Sequence, residues 1–114
     1  MYKALFLSPM IASADVEATA IFFKDAFQFI VRREESGYII LEKDKLTIHI
    51  KNAWTDLVHT ELYLEVDNVD NVWELIKDKV EGLRIKEPFD REYGMRGTYL
   101  HSGNRNFIIY WSGY

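Results

Sequence analysis

The sequence contains no cysteine. That excludes a disulfide framework, thiol catalysis and cysteine-ligated zinc together, and it permits a cytoplasmic location. A basic surplus is also missing: 14 lysines and arginines against 18 aspartates and glutamates leave a formal net charge of -4 and a pI near 5.3. Sequence-independent binding to DNA or RNA depends on a basic patch that displaces counterions, so no nucleic-acid partner is expected. No apolar run reaches the length of a membrane span, so no membrane partner is expected either. The opening MYKALFLSPMIASA imitates a signal peptide briefly, but Ser8-Pro9 interrupts its apolar part early and a helical pattern follows without a break. It reads as the first strand.

What is present is a chain of one-domain length whose charged fraction of 28% is ordinary for a soluble protein. Its aromatic content of 15% is high enough for a packed core and an aromatic-lined pocket besides. Tyr2 to Ala12 reads as a strand in which Pro9, unable to donate to a ladder, marks an edge or bulge. Ser13 or Asp15 then caps a helix, since Val16, Ala20, Phe23 and Phe27 recur at helical spacing. Three strands follow, Phe29 to Glu34, Gly37 to Glu42 and Lys45 to Lys51, with turns at Ser36-Gly37 and Lys43-Asp44.

The order then repeats. TELYLEV is a strand, and DNVDNVWELIKDKVEGL is a helix with Val69, Val72, Trp73, Ile76 and Val80 on one face and Gly82 as its stop. Further strands fall at Leu83 to Glu87, Thr98 to His101 and Asn106 to Trp111. A shift of 53 residues lays Ser8 on Glu61, Val16 on Val69 and Lys24-Asp25 on Lys77-Asp78. The predicted fold is α+β. One domain spans residues 1–114, built from tandem βαβββ modules at about 1–53 and about 59–114. These form a curved, incomplete eight-stranded barrel, a cup with the helices on its outer face.

Strand alternation assigns the faces. In KLTIHIK, Leu46, Ile48 and Ile50 turn toward the helix, and Thr47, His49 and Lys51 turn away. Leu62, Leu64 and Val66 oppose Glu61, Tyr63 and Glu65. In the last strand Ile108 and Tyr110 oppose Phe107, Ile109 and Trp111. Tyr63, Trp111 and Trp54 are candidates to stack on a flat ligand, because aromatics offer contact area with few rotors to freeze. Trp54 alternatively pins the linker between modules or meets a second subunit, while Trp73 belongs to the core stripe. His49 and Glu61 form either a satisfied polar pair or an acid–base couple, and Lys51 and Glu65 can neutralise one another. His59 and His101 receive no role. PFDREYGMRG, residues 88–97, is either a solvated connection or a lid: Gly94 and Gly97 permit movement, and Arg91 and Arg96 reach an anionic group.

The βαβββ order, the phrases DVEATAIFFKDAFQF and ELYLEVDNVDNVWELIK, and the ending YGMRGTYLHSGNRNFIIYW resemble the glyoxalase, bleomycin-resistance and extradiol-dioxygenase superfamily, the vicinal oxygen chelate proteins. The likeness covers essentially the whole chain. SGNR at 102–105 stands where the family usually has a DPDG-like turn, and AFQF where LGF is common. In metal-dependent members four inward positions hold the ion, and the resemblance carries them to Ser8, His49, Glu61 and Ile109. Ile109 cannot bind a metal and Ser8 is a poor ligand, so neither a metal nor another cofactor is expected.

SPMIASADVEA and TIHIK resemble the bleomycin-resistance branch, whose members bind a drug without chemistry as homodimers with clefts near the subunit interface. The resemblance implies a metal-free homodimer that sequesters a small molecule, with antibiotics and cationic aromatic compounds as candidates. Its cup would be lined by Ser8, Met10, His49, Lys51, Glu61, Tyr63, Glu65 and Trp111, with no catalytic residue. The alternative is a metal-dependent glyoxalase- or dioxygenase-like enzyme, a lyase, isomerase or transferase, using His49 and Glu61. A third reading is a stress or interaction protein whose cup is vestigial.

Overall fold

Asp15 begins the first helix. Its extended backbone lets Oδ1 accept from the amide of Ala18 at 3.0 Å, which satisfies one of the donors a helix start leaves free. Helix α1 runs Val16–Phe27 and stops at Gln28, where a left-handed φ of 62° turns the chain. The amides of Gln28 and Phe29 then reach back to the carbonyls of Lys24 and Phe23. The computed structural model describes residues 1–53 and 58–114, and all of their side chains except those of Tyr93 and Asn104. Trp54 lies outside the described residues.

Strands β1 (Met10–Ser13), β2 (Ile30–Glu35), β3 (Tyr38–Lys43) and β4 (Leu46–Asn52) form one sheet in the order β1-β4-β3-β2. Here β1 runs parallel to β4, and the other pairs are antiparallel. The β3–β4 turn holds Asp44 and Lys45 both at positive φ, the turn whose twist matches that of its flanking strands. The second sheet holds β5 (Thr60–Glu65), β6 (Arg84–Ile85), β7 (Phe89–Asp90), β8 (Arg96–His101) and β9 (Phe107–Gly113). Its order is β5-β9-β8-β6, with β7 also paired to β8 and β5 parallel to β9. Helix α2 (Val69–Ile76), capped by Asn68 Oδ1 accepting from the Asn71 amide at 3.0 Å, connects β5 to β6.

The architecture is therefore α+β with two mixed sheets, and no barrel closes. The eight strands expected in one cup fall into separate four- and five-stranded sheets, the fifth being the two-residue β7. Both sheets turn their apolar faces into a single core. Phe23 stacks on Phe107 with ring centroids 4.9 Å apart, and Phe27 meets Trp111 edge-on at 5.8 Å. Helix α1 thus packs on the sheet of its own half and on the last strand of the other.

Two elements are shorter than their sequence patterns. The first strand starts at Met10 because Pro9 has no amide to donate. Pro9 instead accepts from the His49 amide at 3.0 Å, and residues 1–7 carry their apolar side chains in the open. Helix α2 ends at Ile76 rather than near Gly82, since KDKVEG offers one apolar side chain in six residues. Turns follow and still bury Val80. No helix among the described residues is long and apolar enough to cross a membrane.

Candidate functional site

The open face of the second sheet is built by lateral pairing. Residues paired across neighbouring strands point to the same side, so the register fixes which side chains meet. Tyr63 pairs with Tyr110, and Tyr110 with Tyr99. Flanking that row on one side are Glu61, Ile108 and His101, and on the other Glu65, Ser112, Gly97 and Phe89. The hydroxyl of Tyr110 donates to Glu61 Oε1 at 2.8 Å, and Tyr63 and Ser112 are hydrogen-bonded through their hydroxyls at 2.5 Å. Tyr99 lies 6.3 Å from Tyr110 and stands edge-on to His101 at 5.6 Å. Three tyrosines, an imidazole and a carboxylate thus share one surface. The hydrogen bond to Glu61 is the chief reason the Tyr110 phenol is held above its ordinary pKa.

One end of this face opens into a 480 Å³ cavity lined by Tyr63, Phe89, Arg91, Glu92, Met95 and Ser112. Its wall is the segment expected to be either a connection or a lid. The Arg91 amide donates to Met95 O at 2.7 Å across a 3-10 turn at Glu92–Gly94, and β7 pairs with β8. Arg96 ties the segment down: its Nε lies 3.1 Å from both Asp70 carboxylate oxygens and its other nitrogens reach Asp70 and Asp90. These bonds raise the pKa of Arg96, Asp70 contributing most, and they hold its guanidinium on protein carboxylates. Arg91 makes no such side-chain pairing among the described residues.

The first sheet presents a second open face. His49 lies between Met10 and Ile40, and Lys51 between Ala12 and Tyr38. The Tyr38 hydroxyl is hydrogen-bonded to His49 Nδ1, and Phe6 stacks on the imidazole at 6.5 Å. Ser8 Oγ donates to Thr47 O at 2.8 Å and accepts from Thr47 Oγ1. Leu46, expected under the helix, is 55% exposed at the strand start.

The residues expected around one cup therefore divide. Met10, His49 and Lys51 stand on the first sheet, with Ser8 just before β1 bonded to Thr47, and Glu61, Tyr63 and Glu65 stand on the second. Among the described residues His49 and Glu61 share no hydrogen bond or ion pair, His49 being engaged by Tyr38 and Glu61 by Tyr110. Lys51 and Glu65 likewise form no ion pair. Trp111 is fully buried, 0% exposed, because it pairs with Leu64 on the helix side of the sheet. Ile109 pairs with Leu62 on that same side. Neither reaches the open face. The position expected of Trp111 is taken by Tyr110, which alternation had already placed opposite it; Tyr99, His101 and Phe89 were not expected there. Among the described residues no group of three histidine, aspartate or glutamate side chains converges as a metal site would require.

No family model and no curated protein matches this sequence. Solved structures do. Superposition on a glyoxalase/bleomycin resistance protein/dioxygenase from Nocardioides gives a TM-score of 0.76 at 11% identity, covering 100% of this chain and 85% of that one. The bleomycin resistance determinant encoded on transposon Tn5 gives 0.78 at 17% identity, with 96% and 98% covered. The bleomycin-binding protein of Streptomyces verticillus, solved with copper(II)-bleomycin, gives 0.73 at 15% identity, with 97% of each chain covered. The fold is that of the glyoxalase and bleomycin-resistance proteins.

Proposed function

We propose that this chain is a small-molecule binding protein of the bleomycin-resistance type, acting by sequestration and using the open face of the second sheet. The observation that carries this reading is the Tyr63–Tyr110–Tyr99 row beside a carboxylate, Glu61, that Tyr110 holds in place. Tyrosine rings give flat contact area with a negative face, and Glu61 adds a formal charge at the edge. Cationic aromatic compounds, antibiotics among them, are the ligand class that suits both. The likeness to two bleomycin-associated folds supports the reading. The matching strand orders of the two sheets support a duplicated βαβββ unit.

The protein works as a cytoplasmic homodimer in this proposal. Tyr2, Leu5 and Leu7, at 91%, 86% and 98% exposure, form an apolar arm that a second copy would cover. Calorimetry with a panel of cationic aromatic drugs and their neutral analogues tests the ligand class. Heat with the cations that is lost in Glu61→Gln supports it, and no heat with any cation sets it aside. Elemental analysis of protein purified without chelators or a histidine tag tests the enzyme alternative. Stoichiometric zinc, nickel, manganese or iron would overturn the metal-free proposal.

A further inference from the structure

We infer that the cavity beside Tyr63 is a subsite for an anionic group carried on an apolar body, a small aryl or acyl carboxylate. The inference goes beyond the cation-binding face and, apart from Tyr63, which belongs to both, rests on different residues.

Two cations stand near the ring of Phe89, a residue of the cavity lining. Lys86 Nζ stands 4.2 Å from the centroid of Phe89, and the Arg91 guanidinium carbon stands 5.8 Å from the same centroid. Neither forms an ion pair among the described residues. That is unusual company in a chain with 18 acidic side chains and 14 basic ones, where a structural cation has carboxylates to choose from. Arg96, five residues from Arg91, shows the contrast, since two aspartates hold it. Among the described residues the charged side chains on the cavity lining are Arg91 and Glu92, and Lys86 adds a second cation beside the lining residue Phe89. An anion held beside Phe89 would be attracted by both cations. Arginine in particular offers a planar fork that matches a carboxylate.

The rest of the cavity suits the apolar body of such a ligand. Phe89, Met95 and Tyr63 line it, and Ser112 supplies a hydroxyl already tied to Tyr63. Gly97 lies between Phe89 and Ser112 in the sheet and contributes no side chain. A Cβ at Gly97 would come within 2.8 Å of the Ser112 Cβ, so a larger residue is not accommodated without a shift. Among the described residues the Arg91 side chain makes no hydrogen bond or ion pair, and the wall is bonded through its backbone amide to Met95.

The test is a titration of the full chain, followed by amide proton–nitrogen spectra, with three probes of one shape: phenylacetate, neutral phenylacetamide and cationic phenethylamine. Phenylacetate should produce saturable shifts at Gly97, Ser112 and Met95 and bind about tenfold more tightly than phenylacetamide. Arg91→Gln and Lys86→Gln should each weaken phenylacetate about threefold to fivefold and leave phenylacetamide unchanged, while Glu92→Gln should tighten phenylacetate about twofold. Equal affinity for phenylacetate and phenylacetamide, shifts that map to other residues, or a Lys86→Gln/Arg91→Gln double variant with undiminished phenylacetate binding would each overturn the inference. Phenethylamine separates the two sites. Its binding with loss in Glu61→Gln reports on the tyrosine face alone, whatever phenylacetate does.

Discussion

Tyr110 donates its phenolic hydrogen to Glu61 Oε1 at 2.8 Å, and the bond runs along the open face of the second sheet rather than into the core. It fixes one carboxylate oxygen of Glu61 and leaves the carboxylate exposed beside three aromatic rings. A bond of this kind favours the protonated phenol, because a tyrosinate beside a carboxylate would lose the hydrogen bond and gain a repulsion.

The pH dependence follows from the sign of that shift. The folded-state pKa of Tyr110 is raised, so its contribution to stability is fully present below the unfolded pKa, about 10. It is lost as pH rises through the folded value. Carbon-13 spectra of ζ-labelled tyrosine should show Tyr110 titrating above its ordinary range in the native protein and moving down in Glu61→Gln. A Tyr110 titration that does not move in that variant would remove Glu61 as the cause.

Ligand binding should distinguish the two open faces. Tyr63→Ala removes one ring of the tyrosine row and should weaken a cationic aromatic ligand about tenfold. His49→Ala alters only the first sheet, where the imidazole is held by Tyr38 and covered by Phe6, and should leave the affinity unchanged. Fluorescence titration of both variants checks this. An affinity that falls equally in both would mean that the two faces act as one site.

Much of the assignment of side chains to the core or open face was legible in the sequence. The alternation of KLTIHIK does place Ile48 and Ile50 in the core and His49 opposite. The caps, the hairpins and the order of elements around them follow from local signals of the same kind. The face of β9 was harder, because Phe107, Ile109 and Trp111 are as apolar as any core stripe yet include a tryptophan attractive as a ligand platform. The deciding facts are nonlocal: β5 pairs Leu62 with Ile109 and Leu64 with Trp111, which puts those four together. The more polar alternate set, Ile108, Tyr110 and Ser112, carried the signal. The division of the cup into two sheets sharing one core depends on how α1 docks, through Phe23 and Phe27, and no spacing within a single segment encodes that.

Trp111 carries an unusual burden for a core residue, since its indole Nε1 is buried without a hydrogen-bond partner among the described residues. Trp111→Phe removes that orphan donor along with some packing volume, and the two effects offset, so a cost of about 1 kcal/mol or less is expected. Trp111→Ala leaves a large void against Phe27 and should cost about 3–5 kcal/mol. Urea unfolding of the two variants gives the comparison. A phenylalanine variant as unstable as the alanine one would show that the indole has a partner in solution.

Arg96 should govern the mobility of the cavity wall. Arg96→Ala releases residues 90–96 from Asp70 at the start of α2, and limited proteolysis within that stretch should accelerate about threefold. Raising the salt concentration should produce part of the same effect in the parent protein, because both carboxylates are largely exposed and screened. A cleavage rate indifferent to both changes would assign the wall's order to the β7–β8 pairing and the Arg91–Met95 bond alone.

The N-terminal arm should decide the oligomeric state. Residues 1–7 form no strand, and their apolar side chains are exposed, although Phe6 touches His49. Burying Tyr2, Leu5 and Leu7 against a second copy would remove that surface from water, at about 25 cal/mol for each Å² of apolar area covered. Among the described residues β1 and β5 each lie at a sheet edge, which gives a second chain backbone groups to pair with. Sedimentation velocity should therefore report twice the 13.5 kDa chain mass. The Leu5→Asp/Leu7→Asp variant should sediment as a monomer with an unchanged circular dichroism spectrum, because neither side chain contributes to the core. If the variant stays dimeric, the interface lies elsewhere; if the parent protein is monomeric at high concentration, the arm is not an assembly device. Binding measured on the same variant then separates assembly from recognition: the tyrosine row and Glu61 lie on one chain, so a cationic aromatic ligand should still bind the monomer there.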